Sequence, residues 1–265
     1  MLKAVLFDLD DTLMPDEAAA NEALVATAGL AKQWHNIPPG DLKDSVRRIA
    51  RRVFRAHPVV APYNGNFDVS SWEALSSSFE GGDDEMRQLH EWAPEYRREV
   101  WNQALCENGL CDPLLADRLS VLYPLERRAR YKPFPDVIPV LEELRRDFAL
   151  GIVTNGPCDL QCVKLEASGL RSYFGAVAIS REVGILKPDP RIFAIALEQL
   201  GVAPAEAVFV GDTPKTDIVG AQAAGMKTIW LNRDGKPLPD GMQPAATISS
   251  LAELPATVAR LGLAG

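Results

Sequence analysis

The chain contains no apolar run approaching the roughly 20 residues that a bilayer-spanning helix requires, and its first apolar stretch turns acidic already at Asp8. Neither a membrane segment nor a signal peptide is expected, and a cytoplasmic location is the default. Basic excess is also missing. With 28 Lys and Arg against 36 Asp and Glu, the net charge is -8 and the pI near 5.0. That balance argues against a partner that is a nucleic-acid polymer, while leaving small anionic substrates open. The four cysteines, Cys106, Cys111, Cys158 and Cys162, are too few for a disulfide framework and lack the close pairs and histidines of a zinc site. Reduced, structural thiols are therefore expected. Internal repeats and low-complexity tracts are absent too.

Five short apolar runs read as strands: Ala4 to Phe7, Leu150 to Val153, Ala176 to Ile179, Ala207 to Val210 and Thr228 to Leu231. Runs apolar on both faces suit a parallel sheet covered by helices. Helical patterns lie between the later strands. Val137, Val140, Leu141, Leu144 and Phe148 share one face after Pro135, and Phe193, Ala196, Leu197 and Leu200 share another after Pro190, with Gly201 as a stop. Two more helices are predicted over Asp159 to Ser168 and Lys215 to Ala224, ending at Gly169 and Gly225. Alternation of this kind predicts an α/β fold built on a doubly wound parallel sheet.

The stretch 14–132 breaks the rhythm. Leu42, Val46, Ile49 and Val53 step by three and four, as do Met86, Leu89, Ala93, Tyr96 and Val100, so packed helices are expected, with Pro94 bending or interrupting the second. The reading is a core of 1–13 and 133–265 carrying a helical insertion over 14–132, placed as a lid at the sheet's edge.

Ligands of open parallel sheets bind beyond the carboxyl ends of the strands. Here the first strand runs into Asp8, Asp10, Asp11 and Thr12, the second into Thr154, Asn155 and Gly156, and the fourth into Gly211 and Asp212, with Asp217 beyond. Carboxylates gathered at one point repel and call for a cation. Asp8, Asp10 and Asp212 offer hard oxygen ligands suited to Mg²⁺, whose other ligands would be waters and a substrate phosphate. Asp8 and Asp10, two apart on an extended chain, point the same way. One can attack phosphorus and form an aspartyl-phosphate while the other moves protons. Thr154 and Asn155 supply donors for the phosphate, Gly156 allows a close turn, and Lys187, held extended by Pro188, brings a cation to the transferring group. Gly211 leaves room beside the metal, and Asp217 anchors the site.

At these residues the chain resembles the haloacid dehalogenase superfamily of aspartate-nucleophile phosphatases. Four motifs stand in the family's order: DLDDT at Asp8 to Thr12, VTNG at Val153 to Gly156, LKPDP at Leu186 to Pro190 and GDTPKTD at Gly211 to Asp217. The resemblance implies Asp8 as nucleophile, Asp10 as acid and base, and Thr154 and Lys187 as phosphate-binding groups. Mg²⁺ is implied on the Asp8 side chain, the Asp10 backbone carbonyl and Asp212, with Asp217 in support. It further implies that 14–132 is a helical cap closing on substrate. Within the superfamily the chain looks most like 5'-nucleotidases and N-acylneuraminate-9-phosphatases. The family's dehalogenases and phosphonate-cleaving members lack an aspartate at the position of Asp10, so its presence favours phosphate esters.

Features of the insertion read more plainly. The arginines at 47, 48, 51, 52 and 55 form a basic face that is ordinarily solvated, the alternative being attraction of an anionic substrate, and Arg127, Arg128 and Arg130 form another cluster. Trp34, Trp72, Trp92 and Trp101 read as core rather than as a base-stacking platform. His35, His57 and His90 receive no catalytic role. The expectation is a Mg²⁺-dependent phosphatase of small phosphorylated metabolites, nucleoside monophosphates first, with a sugar phosphomutase and a non-catalytic binding protein as alternatives. Oligomeric state is not legible.

Overall fold

The computed structural model describes residues 1–263. In chain order its elements begin with β1 (Ala4–Phe7), α1 (Asp16–His35), α2 (Pro39–Ala56), α3 (Ser71–Ala74), α4 (Asp84–Glu107), α5 (Pro113–Arg128), α6 (Val137–Leu144) and β2 (Ala149–Thr154). They continue with α7 (Cys158–Ala167), β3 (Ala176–Ile179), α8 (Ser180–Val183), α9 (Pro190–Leu200), β4 (Ala207–Gly211), α10 (Val219–Ala223), β5 (Lys227–Leu231), β6 (Ala246–Ile248) and α11 (Leu254–Leu263). Two compact units result. One contains Met1–Pro15, Lys132–Asn155 and the described residues from Ser168 onward; the other contains Asp16–Tyr131 and Gly156–Ala167.

The first unit is a doubly wound α/β fold. Its six strands are all parallel, in the order β3-β2-β1-β4-β5-β6. β1 is buried along its whole length, as two-sided apolar strands must be when helices cover both faces. Phe7 pairs with Ile152 of β2 and Val210 of β4, so the next residue, Asp8, falls level with Val153 and Gly211. Register alone thus brings three strand ends to one place. The sixth strand, β6, was not predicted: it has only three residues, with Thr247 exposed, at the edge of the sheet. The helix expected over Lys215 to Ala224 starts instead as a π-type turn, Pro214–Ile218, closed by a Val219 N–H bond to the Pro214 carbonyl, before α10 begins.

The helical unit has its own core. Leu24, Leu42, Ile49, Leu89, Trp101 and Tyr123 are fully buried in it. Asp83 caps α4 and Asp112 caps α5 by accepting from Met86 and Leu115 N–H, and Ser70 with Glu73 forms a reciprocal cap on α3. Pro94 does not interrupt α4, whose buried Leu89, Ala93, Tyr96 and Val100 hold the helix in register on both sides of it. Trp101 is core as expected, while Trp92 is partly buried and stacks on His57 and against Tyr96; the Trp34 side chain lies outside the described residues.

The thiol expectation is corrected in part. Beyond α4 the Asn108, Gly109 and Leu110 N–H groups bond back to the Leu105 and Cys106 carbonyls, Gly109 taking φ +83°, and the chain reverses. Cys111 is thereby carried to a Cα separation of 4.4 Å from Cys106, and the two form a disulfide; Cys158 and Cys162 remain thiols.

A buried ionic network closes the helical unit. Lys164 of α7 places its Nζ 3.1 Å from Asp16 Oδ1 and 2.9 Å from Glu73 Oε1, while Arg127 Nη2 lies 2.9 Å from Asp16 Oδ1 and its Nη1 donates to the Asp16 carbonyl. Lys164 and Arg127 have no exposed surface. Burial works against the Asp16 charge, but Lys164 and Arg127 together hold its carboxyl below the usual range. This network is why α7, which lies between β2 and β3 in sequence, belongs with the helices.

Candidate active site

A short turn follows β1. The Leu13 N–H bonds the Leu9 carbonyl, the Asp11 N–H bonds the Met14 carbonyl, and Asp11 adopts φ +56°. The turn presents Asp8, Asp10 and Asp11 at a cavity of about 190 Å³, where Thr154, Asn155, Lys187, Asp212, Thr213 and Asp217 also line the wall. Eight of the eleven residues singled out from sequence therefore meet: Asp8, Asp10, Asp11, Thr154, Asn155, Lys187, Asp212 and Asp217. Thr12 is buried beneath them, its Oγ1 3.3 Å from Asp8 Oδ2 and 3.2 Å from Asp212 Oδ1, so one hydroxyl proton is shared between two carboxylates. Gly211 ends β4. Gly156 does not line this cavity; with φ +134° it turns the chain into α7 and groups with the helical unit.

Lys187 is the site's buried cation. Its Nζ lies 2.5 Å from Asp8 Oδ1 and 2.8 Å from Asp217 Oδ1. Burial opposes its charge, yet Asp217 and Asp8 hold its pKa above the ordinary lysine value. The backbone that presents it is clamped: Lys187 N–H donates to Asn155 Oδ1 at 2.9 Å, and Asn155 Nδ2 donates to the Lys187 carbonyl at 3.2 Å. Asn155 thus positions Lys187 from the neighbouring strand end, a role more specific than the donor expected of it.

One ammonium does not balance the acids. Burial, reinforced by the charges of Asp8, Asp217 and Asp11, pushes the Asp212 carboxyl up to about 8. Burial also pushes Asp217 up to about 6, with Lys187 pulling the other way and Asp8 adding to the rise. Asp8, Asp212 and Asp217 each offer a carboxylate oxygen, all within 4.8 Å of one another. Such a donor set, all oxygen and carrying surplus negative charge, fits a hard divalent cation such as Mg²⁺. Asp10 also lines the cavity but is not one of the three.

Several contributors had no signal in the sequence. The Thr213 N–H donates to Asp217 Oδ2 at 2.9 Å, and the Trp230 indole N–H donates to the Asp212 carbonyl at 2.9 Å. Gly220 lets α10 approach the strand-end loop, since a Cβ there would sit 2.6 Å from the Phe193 ring and 2.8 Å from the Pro188 carbonyl. Backbone donors and close approaches leave no mark in composition. A Pro following Asp212 and Thr213 was the one available hint of a special turn.

Comparison with known proteins agrees with this geometry. Residues 2–225 match the model of the haloacid dehalogenase-like hydrolases, and the chain belongs to that family: it is a hydrolase. It is 37% identical over 257 residues to the phosphoserine phosphatase of Thermus thermophilus, an alignment covering 96% of this chain and 98% of that one. Over 123 residues it is 46% identical to the pyrimidine 5'-nucleotidase YjjG of Escherichia coli, covering 46% of this chain and 55% of the other. Among solved structures, a 2-haloacid dehalogenase from Pseudomonas syringae pv. Tomato superposes with a TM-score of 0.62 at 30% identity, covering 98% of this chain and all of that one.

Proposed function

We propose that this hydrolase is a Mg²⁺-dependent phosphatase of small phosphomonoesters that works through an aspartyl-phosphate on Asp8. The observation carrying the proposal is the setting of the Asp8 carboxylate, held at 2.5 Å by Lys187 and at 3.3 Å by Thr12 in a cavity walled by acids. At about 190 Å³ that cavity takes a phosphoryl group and its counter-ion rather than a whole metabolite, whose sites usually run to about 300–1,000 Å³.

Bound there, Mg²⁺ would neutralise the phosphate's charge and polarise its oxygens. It would be held by the Asp8 side chain, the Asp10 backbone carbonyl and Asp212, with Asp217 in support. Asp8 attacks phosphorus while Lys187 and the Thr154 and Asn155 donors hold the phosphoryl oxygens. Asp10 gives a proton to the departing oxygen and then takes one from the water that cleaves the acyl phosphate. Asp10 is also what separates this reading from dehalogenation: carbon–halogen cleavage releases a halide that needs no proton from an acid, whereas an alkoxide does.

The two sequence relatives described above carry names of phosphomonoesterases, and the nucleotidase supports nucleoside monophosphates as the first substrates to try. In the same reading the helical segment 14–132 serves as the cap that selects the leaving group, and the enzyme acts in the cytoplasm. The test is phosphate release from a panel of nucleoside monophosphates, phosphoserine and sugar phosphates, with and without Mg²⁺, for the wild type and Asp8→Asn. Magnesium-dependent release that vanishes in Asp8→Asn is expected. Release that persists in that variant, or isomerisation without release, overturns the proposal.

A further inference from the structure

The basic face of α2 divides into two sets. Arg47 donates to Glu17 at 2.7 Å and to Asn21, Arg48 pairs with Glu107 at 2.5 Å, and Arg52 donates to Gln103. Arg51 and Arg55 differ: among the described residues neither guanidinium makes an ion pair or a hydrogen bond. They stand four apart on one helix, where like charges repel. In a chain of net charge -8, leaving these two unneutralised side by side requires a reason.

Both line the same cavity, of about 500 Å³, formed within the helical unit. Its size falls in the range of about 300–1,000 Å³ typical of metabolite sites. Phe54 and Phe67, in edge contact at 5.9 Å between ring centres, supply an apolar wall. Gly65, at φ +87°, leaves the space that the Arg55 guanidinium occupies, since a Cβ there would lie 3.2 Å from its Nη2. Two acids stand on the wall: Asp68, and Glu73, which is committed to Lys164 at 2.9 Å and to the Ser70 N–H at 3.0 Å. The cavity therefore offers two uncommitted guanidinium groups beside aromatic carbon.

We infer that this cavity binds a small organic anion, its carboxylate, sulfonate or phosphate held between Arg51 and Arg55 and its aromatic or apolar body lying against Phe54 and Phe67. Guanidinium forks suit such oxyanions, and a ligand between them relieves the repulsion along α2. The site is built wholly from the helical unit and uses neither Asp8 nor a metal. It goes beyond the hydrolytic reading and stands without it.

Calorimetric titration of the intact protein in Mg²⁺-free buffer tests this, with naphthalene-1-sulfonate as probe and inorganic phosphate as the bare-anion comparison. Saturable one-to-one binding of the sulfonate is expected, unchanged in Asp8→Asn and weakened about tenfold or more in Arg51→Gln/Arg55→Gln, with phosphate about tenfold weaker than the sulfonate. Both arginines are exposed, so the double variant retains its fold, and Arg51→Lys/Arg55→Lys should recover part of the affinity. Absence of saturable binding, binding indifferent to the double variant, loss in Asp8→Asn, or phosphate binding as tightly as the sulfonate would each refute the inference.

Discussion

The Thr213 N–H donates to Asp217 Oδ2 at 2.9 Å, and this bond passes beside Gly211, where a Cβ would overlap the Asp217 carboxyl group. The absence of a side chain at the end of β4 is thus a condition for the position of the acid. Gly211→Ala must displace Asp217, and with it the partner of Lys187. Overpacking of this kind costs about 1–3 kcal/mol. Urea denaturation should show that loss, and hydrolase activity should fall with it; an unchanged midpoint would mean that Asp217 moves freely.

Cation binding should be visible without turnover. Burial and its acidic neighbours push the Asp212 carboxyl up to about 8, so a divalent cation binding its charged form competes with a proton there. Mg²⁺ binding only the folded state adds about 2.7 kcal/mol when present at 100 times its Kd. Wild-type Tm should rise with Mg²⁺ and return on chelation, and Asp212→Asn should lose most of the rise. Equal shifts in both proteins would place the ion elsewhere.

Lys164→Met leaves Asp16 and Glu73 facing an apolar side chain where both had shared a buried ammonium. Removing one member of a buried ionic group costs about 3–5 kcal/mol. Four of the five tryptophans fall in 16–131, so fluorescence-detected denaturation reports chiefly on the helical unit. Its midpoint should drop strongly, and a shift comparable to that of a surface lysine variant would contradict the role given to the network.

Asp136 predicts an acid response. It accepts from both terminal nitrogens of Arg233 at 3.0 Å, from Ser250 Oγ at 2.8 Å and from the Leu251 N–H at 2.9 Å. Burial opposes its charge, but the Arg233 and Ser250 hydrogen bonds prevail and hold the carboxyl below the ordinary aspartate range. A depressed folded pKa means that the stabilisation is complete above the unfolded value and is lost as pH falls through the folded one. Tm measured against pH should therefore separate wild type from Asp136→Asn above about pH 4, and the two curves should converge in stronger acid.

Thiol counting tests the remaining covalent feature. Denatured but unreduced protein should titrate two thiols, Cys158 and Cys162, and four after reduction. Protein trapped from cells by rapid alkylation adds a compartment readout, because cytosolic proteins are held reduced. Four alkylated thiols would accord with the proposed location; an intact Cys106–Cys111 bridge would argue for a more oxidising one.

Much of this molecule could be read before its structure was known, and what escaped has physical causes. The buried strands announced themselves because parallel strands covered on both faces must be apolar throughout, whereas Ala246–Ile248 has too few residues, one of them exposed, to carry a pattern. Asp8, Lys187, Asp212 and Asp217 were legible because their motifs stand at or near strand ends, and register brings those ends level. The Cys106–Cys111 bond was not, since it depends on a chain reversal at Gly109 rather than on cysteine spacing. Nor was the affiliation of α7, which hangs on Lys164 reaching Glu73, 91 residues away. Arg51 and Arg55 looked identical to their helical neighbours until the partners of Arg47, Arg48 and Arg52 were known.

The central place of β1 also bears on how the chain comes into being. Its two hydrogen-bonding neighbours are β2, beginning at Ala149, and β4, beginning at Ala207, so the first strand to leave the ribosome waits for more than half the chain before either edge is covered. Meanwhile Asp16–Tyr131 emerges whole, with most of a core of its own. Helices built on nearby contacts assemble faster than pairings between distant segments. The strand that leads into Asp8 is made first and paired late, with the whole of the helical segment made in the interval between.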